Sequence, residues 1–388
     1  MKYTWLILSL LCLAAGEVRS QTLLYLTRPN WTDASITTFT NVEVGAVQTN
    51  MALRGKLVIF FPGTGGVPAA YLDFLISSAR LGLHTLGLMY PNATSVNQAC
   101  AFSSNSACHE EIRLEIIDGT DRTELVDVDR ANSIENRIIK FLEYSHTNTP
   151  HWNWGQFLDA QTNIIWTNVI LSGHSQGGGM AGILAKQHEV YRCVMFNSFD
   201  WWYYTNHPAD WIYAPGATPP ERYFGFGHNL DPLAESNMLI EAWAAFGMGS
   251  SGSVENVDGQ GAPYRGSRMF MTDLTPDNFT NVNLYHNGTV LDANTPTNAA
   301  GRPVYETLWQ YMMVGPTYIP PLELTALPDG TMECRYETRA GIIYQLEASS
   351  DGFTYTTNGP PVEGTGSFMT NVIVPLPSTR FFRAALGY

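Results

Sequence analysis

Charge is scarce in this chain: only 14% of its 388 residues are Asp, Glu, Lys or Arg, and the basic sign is the scarcer. Lys and Arg number 21 against 35 acidic residues, a net charge of -14. No basic run interrupts that excess, so nucleic acid and anionic membrane surfaces are excluded as expected partners. Cysteine is sparse too. Five residues cannot build a disulfide scaffold, and none forms a C-x-x-C metal-ligand pair. Gly 34 and Pro 22 are ordinary numbers, which excludes collagen-like, low-complexity and largely disordered readings. Long apolar runs are absent: none reaches the length needed to span a bilayer. No internal repeat is visible.

A hydrophobic content of 45% over this length supplies ample core for one large domain or two smaller ones. The first 20 residues read as an export leader. Lys2 is the positive n-region, residues 5–15 the apolar h-region, and Val18-Arg19-Ser20 precedes a cut at Gln21. Removing residues 1–20 takes away Lys2, Arg19 and Glu17, leaving 19 basic and 34 acidic residues, a net -15. The expected mature protein is acidic and secreted, to the extracellular space or periplasm. In an oxidising compartment Cys100 and Cys108, which bracket a short polar loop, are the favoured disulfide. Cys193, in an apolar run, reads as a buried free thiol, and Cys334 as unpaired.

Strands and helices alternate through the middle of the chain. Residues 56–61, 84–89, 168–172, 191–197, 223–227 and 268–272 read as short buried strands. Residues 71–81, 129–145 and 177–188 carry helical spacing, with Ile134, Ile138, Phe141 and Leu142 on one face. This alternation predicts an α/β fold, a mainly parallel sheet flanked by helices. A Pro-rich linker at 316–321 ends it. Beyond come short alternating runs at 332–336, 343–348, 370–374 and 381–384, predicting a small antiparallel β domain over 322–388.

The chemistry concentrates at Gly173-His174-Ser175-Gln176-Gly177, a G-x-S-x-G match between an apolar strand and a Gly-rich helix start. A sharp strand-to-helix turn exposes the serine hydroxyl, and flanking glycines permit packing where a Cβ would clash. The competing reading is a tight turn with an incidental serine. With this motif, residues 40–315 resemble the α/β-hydrolase superfamily. Arg130-Ala131-Asn132-Ser133-Ile134-Glu135-Asn136-Arg137 and Trp154-Gly155-Gln156-Phe157 add a similarity to a subset of exported bacterial hydrolases. The resemblance implies a catalytic domain at 21–315 with the α/β-hydrolase fold.

It also implies a Ser, acid, His order along the chain. Of the histidines after Ser175, His188, His207 and His228 come too early, and His286 lies in a loop beyond the last strand, where the general base is expected. The acid is Asp231 or Asp200. Asp231 follows the strand 223–227 and is favoured, although an Asp before Pro232 also suits a helix cap. Oxyanion donors are expected from the backbone amides of Gln176 and Thr64, the latter in the loop Pro62-Gly63-Thr64-Gly65-Gly66. A phosphate-cradling reading of that loop lacks the P-loop lysine.

Trp201 and Trp202, with Tyr203, Tyr204, Trp211 and Tyr213, either line a substrate pocket or pack a long loop. Asp118, Asp121, Asp127 and Asp129 fail the EF-hand spacing and read as a solvated loop. No metal or cofactor is expected. The resemblance implies an esterase using Ser175, His286 and Asp231 on small-molecule or polymeric esters, with short-chain carboxylesters favoured. Behind it stand a cutinase-like polyester hydrolase, an amidase or peptidase, and a non-catalytic binding protein on a hydrolase fold. A monomer is expected, its β domain available to contact a surface or polymer.

Overall fold

A computed structural model of the chain describes residues 22–48, 53–315, 322–338, 343–350, 356–360, 362–363, 365, 367–373 and 381–386. The expected leader at 1–20 and the Pro-rich linker at 316–321 lie outside the described residues. The chain divides into two compact units, Met1–Met313 and Val314–Tyr388.

The strands of the first unit are β1 (Thr22–Thr27), β2 (Glu43–Gln48), β3 (Leu57–Phe61), β4 (His84–Gly87), β5 (Val169–His174), β6 (Arg192–Phe196), β7 (Trp201–Trp202), β8 (His207–Pro208), β9 (Tyr223–His228), β10 (Glu255–Asn256) and β11 (Met269–Thr272). Nine form one sheet in the order β1-β2-β4-β3-β5-β6-β9-β11-β10. From β4 to β10 every neighbouring pair is parallel. β1 and β2 add an antiparallel edge. Residues of β3, β5 and β9 are buried along their whole length, as strands covered on both faces must be. Their apolar runs were therefore legible as strands.

The helices are α1 (Pro29–Thr32), α2 (Leu72–Ala79), α3 (Val96–Cys100), α4 (Cys108–Asp118), α5 (Ile134–Asn148), α6 (Gln176–Gln187), α7 (Asp210–Tyr213), α8 (Ser236–Ala245) and α9 (Glu306–Val314). The expected helix at 129–145 starts later than its periodicity suggests. Asp129 Oδ1 accepts from the Asn132 N–H at 2.8 Å, which makes a turn, and Ser133 caps α5 by accepting from the Asn136 N–H at 3.4 Å. Ile134, Ile138, Phe141 and Leu142 are all fully buried, as their spacing predicted. Burying side chains of this size stabilises by roughly 1.5–3 kcal/mol each, so α5 is held mainly by this face. Among the described residues no helix is long and apolar enough to cross a membrane.

The second unit holds β12 (Glu323–Ala326), β13 (Met332–Glu337), β14 (Ile343–Ser349), β15 (Thr356–Thr357), β16 (Val362–Glu363), β17 (Phe368–Ile373) and β18 (Phe381–Leu386). All their pairings are antiparallel: β12-β13-β17 in one sheet, and β14 with β15, β16 and β18 in another. Cys334, Tyr336, Tyr344, Leu346, Ile373 and Ala384 make its small core. In β17 exposure alternates as in a half-buried sheet, with Met369, Asn371 and Ile373 inward and Phe368, Thr370 and Val372 outward, whereas β12 is exposed throughout.

Candidate active site

Ser175 stands between β5 and α6 with φ 54° and ψ -123°, a conformation rarely taken by a residue with a Cβ. The turn is tight enough to demand its glycines. A Cβ on Gly177 would overlap the Phe61 carbonyl, and one on Gly173 would overlap the Gly177 carbonyl. The Ser175 N–H donates to the Phe196 carbonyl at 2.8 Å, tying the turn to β6. Ser175 is half-buried and its hydroxyl has no hydrogen-bond partner among the described residues. It sits at the N-terminus of a 12-residue helix, where negative charge is favoured.

His286 and Asp231 come together from separate loops. Asp231 follows β9, and His286 ends a single-turn 3-10 helix, Val282–His286, that follows β11. His286 Nδ1 lies 2.7 Å from Asp231 Oδ2, with the carboxylate fully buried. Oδ2 also accepts from Asn197 Nδ2 at 2.7 Å, and Oδ1 accepts from the amides of Leu233 at 2.8 Å and Ala234 at 3.1 Å. Burial pushes the Asp231 carboxyl up, but the bonds and charge of His286, the Leu233 amide and Asn197 outweigh it, and the group is held below its ordinary range. Asp231 thus binds the imidazole through Oδ2 and closes a local turn through Oδ1, and the expected helix cap is not found, since α8 begins only at Ser236 with Glu235 as its N-cap.

Asp200, the rival acid, is engaged elsewhere. Arg113 on α4 donates to it through Nε at 2.6 Å and Nη2 at 2.5 Å, and Trp211 Nε1 donates at 2.9 Å. Burial raises the Asp200 carboxyl, while Arg113, His109 and Trp211 bring it below the ordinary value. Arg113 Nη1 also donates to the Gln176 carbonyl at 3.0 Å, so this ion pair braces the first turn of α6.

Thr64 and Gln176 meet directly, Thr64 Oγ1 donating to Gln176 Oε1 at 2.9 Å. In the loop before Thr64, Gly63 lies against the Ser175 turn: a Cβ built there would come 3.3 Å from Ser175 Cβ. The N–H of Gly63 donates to Tyr71 Oη, that of Gly65 to the Asn92 carbonyl and that of Gly66 to the Gly63 carbonyl. Neither the Thr64 N–H nor the Gln176 N–H has a partner among the described residues.

His174 joins these parts. Its Nε2 is 2.9 Å from the His286 carbonyl and its Nδ1 is 3.0 Å from Tyr71 Oη, while the His174 and His286 rings are 4.9 Å apart. A carbonyl only accepts, so Nε2 carries the proton. Burial first, then the neighbouring His286, depresses His174 to about 3, against opposing effects of the His286 carbonyl and Asp231. The ring is therefore neutral, Nδ1 accepts from the Tyr71 hydroxyl, and the Tyr71 oxygen accepts the Gly63 N–H at 3.4 Å.

Asn197, Tyr71, Arg113, Asn92 and the role of His174 were not foreseen from the sequence. Asn197 had a signal of sorts, since it directly follows β6 with a left-handed φ of 44° and Asn tolerates that conformation. Its Oδ1 accepts from the Thr289 hydroxyl. Trp201 and Trp202 are buried, their indole N–H groups donating to Asn206 Oδ1 and the Ser103 carbonyl, which is the geometry of packing. Tyr203 and Tyr204 of the same segment are exposed. Cys100 and Cys108 form a disulfide between the end of α3 and the start of α4, and Cys193 and Cys334 are buried and unbonded. In the acidic stretch Asp118 pairs with Arg122 at 2.7 Å. Among the described residues no three His, Cys, Asp or Glu side chains are arranged to hold a metal ion. No protein-family model matches the chain, and no curated protein matches it.

Proposed function

We propose that the protein is a secreted serine hydrolase of the α/β-hydrolase type that cleaves carboxylic esters, with short-chain esters its principal substrates. The observation that carries this reading is the buried Asp231–His286 pair packed through His174 beside a serine held at positive φ. Ser175 Oγ attacks the ester carbonyl carbon while His286 Nε2 takes its proton. Asp231 accepts from Nδ1, fixing the tautomer that leaves Nε2 free and stabilising the imidazolium. The oxyanion is received by the Thr64 and Gln176 amides. His286 then returns the proton to the departing alcohol, and water clears the acyl-enzyme by the same steps in reverse. Secretion is supported by the Cys100–Cys108 disulfide, since such bonds persist in oxidising compartments.

A second reading, an insoluble polyester as substrate, is favoured by apolar side chains exposed on segments that follow β4, β9 and β11. Phe102 is 95% exposed, and Leu230, Leu233 and Val282 are each more than half exposed. Hydrolysis of p-nitrophenyl esters of graded chain length, beside an aromatic polyester film, tests both. Ser175→Ala should lose a few orders of magnitude in kcat with its fold intact. Activity retained in that variant would place the chemistry elsewhere.

A further inference from the structure

We propose that Asn92 is the residue that positions the oxyanion-binding amide of Thr64, holding the Gly63–Thr64 peptide in the orientation that catalysis requires. The inference rests on the reading of Ser175 as nucleophile and of Thr64 as oxyanion donor.

Asn92 is buried beyond β4, and its two amide hydrogens go to two carbonyls of one loop. Nδ2 donates to the Gly63 carbonyl at 2.9 Å and to the Gly66 carbonyl at 2.9 Å. Both partners are acceptors, so chemistry alone fixes which end of the side chain faces them. The Asn92 main chain adds a third bond by accepting the Gly65 N–H at 2.9 Å. Its Oδ1 is buried with no partner among the described residues. The side chain is thus used for its donors, at the expense of an orphaned acceptor that an apolar residue would not carry.

The link to chemistry is the planarity of the peptide. In a trans peptide the C=O of Gly63 and the N–H of Thr64 belong to one rigid plane and point in opposite directions. Fixing the carbonyl therefore fixes the amide. Two bonds hold that carbonyl, from Asn92 Nδ2 and from the Gly66 N–H, and the second alone closes a turn within the loop itself. Asn92 supplies the only one of the two that comes from outside the loop. Of the four N–H groups from Gly63 to Gly66, the Thr64 N–H alone has no partner among the described residues. With its plane held and its hydrogen free, the amide is pre-oriented before charge develops on the substrate, so no reorientation is needed at the transition state.

Loss of a whole oxyanion donor costs about 10²–10³ in kcat. Loss of its orientation should cost part of that, roughly 10- to 100-fold, with KM changed by less than about threefold, because the interaction forms only in the transition state. The test compares Asn92→Ala with Asn92→Leu, which keeps much of the side-chain volume but presents no donor to the two carbonyls. Each is measured for kcat and KM on a soluble p-nitrophenyl ester, and for inhibition by an aryl boronic acid that forms a tetrahedral adduct on serine. The expected result is a fall in kcat and in boronate affinity by the same factor in both variants, at little cost in KM. A packing role would leave the boronate affinity tracking KM. Wild-type kcat in either folded variant overturns the proposal, and so does failure of both to fold, which would assign Asn92 to stability alone. Ser175→Ala is run alongside. If that variant keeps full activity, the catalytic reading has failed irrespective of Asn92. If it is inactive while the Asn92 variants behave as wild type, only the positioning role is lost.

Discussion

Asp200→Asn and Asp231→Asn, made separately, should damage the protein in opposite ways. Asp200 is bound by the Arg113 guanidinium inside the fold, with both side chains almost wholly buried. Converting Asp200 to an amide leaves a buried, unpaired cation, and breaking such a pair costs about 3–5 kcal/mol. At roughly 2–4 °C per kcal/mol for a domain of this order of size, Tm should fall by about 6–20 °C. Below the transition, kcat should stay within about tenfold of wild type, because Asp200 bonds to Arg113 and Trp211 and not to His286. Asp231 faces the imidazole of His286 and no guanidinium or ammonium group, so its loss leaves no permanently charged partner behind. Asp231→Asn should cost about 1–2 kcal/mol in stability but lower kcat by roughly 10⁴, since the imidazole is no longer held in the tautomer that leaves Nε2 free. Thermal unfolding by circular dichroism and ester hydrolysis well below Tm measure the two quantities independently. A stable but inactive Asp200→Asn, together with an active Asp231→Asn, would refute the assignment of the acid.

The stability of wild type should fall faster than that of His174→Gln as pH drops from 6.5. His174 is depressed to about 3 from its ordinary 6.5, so below 6.5 the unfolded chain takes up a proton that the folded one refuses. The accumulated difference in stability should reach about 2 kcal/mol by pH 5 in urea titrations, and parallel curves would contradict it. His286, Asp231 and Tyr71 face His174 and are coupled to it, so the comparison reads the titration of His174 together with that coupling. Replacing Cys100 and Cys108 together by Ser should lower stability by roughly 2–3 kcal/mol, the chain-entropy value for so short a loop, with esterase kcat largely retained. A chain ending near residue 317 should hydrolyse soluble esters with wild-type kcat/KM, and any loss should appear on a polyester film, where the β unit raises local concentration. A stable truncation inactive on soluble esters would instead place part of the active site in the second unit.

What the sequence made legible was the part governed by local rules. The buried apolar runs 57–61, 169–172 and 223–227 are strands because both faces of a parallel sheet are covered. Ser175 was visible because a turn this sharp needs glycines at its flanks. Local patterns say little about partners far apart in sequence. Arg113 and Asp200 are 87 residues apart, and Asn197 and Asp231 are 34 apart, so their pairing follows from topology alone. The same holds for His174, whose Nε2 bond spans 112 residues to the His286 carbonyl. The antiparallel edge of β1 and β2 went unread although both strands carry short apolar runs, because their pairing with each other and the packing of Tyr25 against Phe141 are set by the topology. The start of α5 was placed five residues too early because Asp129 spends its side chain on a turn and Ser133 on the cap, which periodicity does not register.

Labelling with a fluorophosphonate probe, followed by peptide mass spectrometry, tests the central claim most directly. The probe phosphonylates a serine only when a neighbouring base and oxyanion donors activate it. The expected result is one adduct, on Ser175, abolished in Ser175→Ala and strongly slowed in His286→Ala. No adduct on the folded wild-type protein, or an adduct on another serine, would contradict the account.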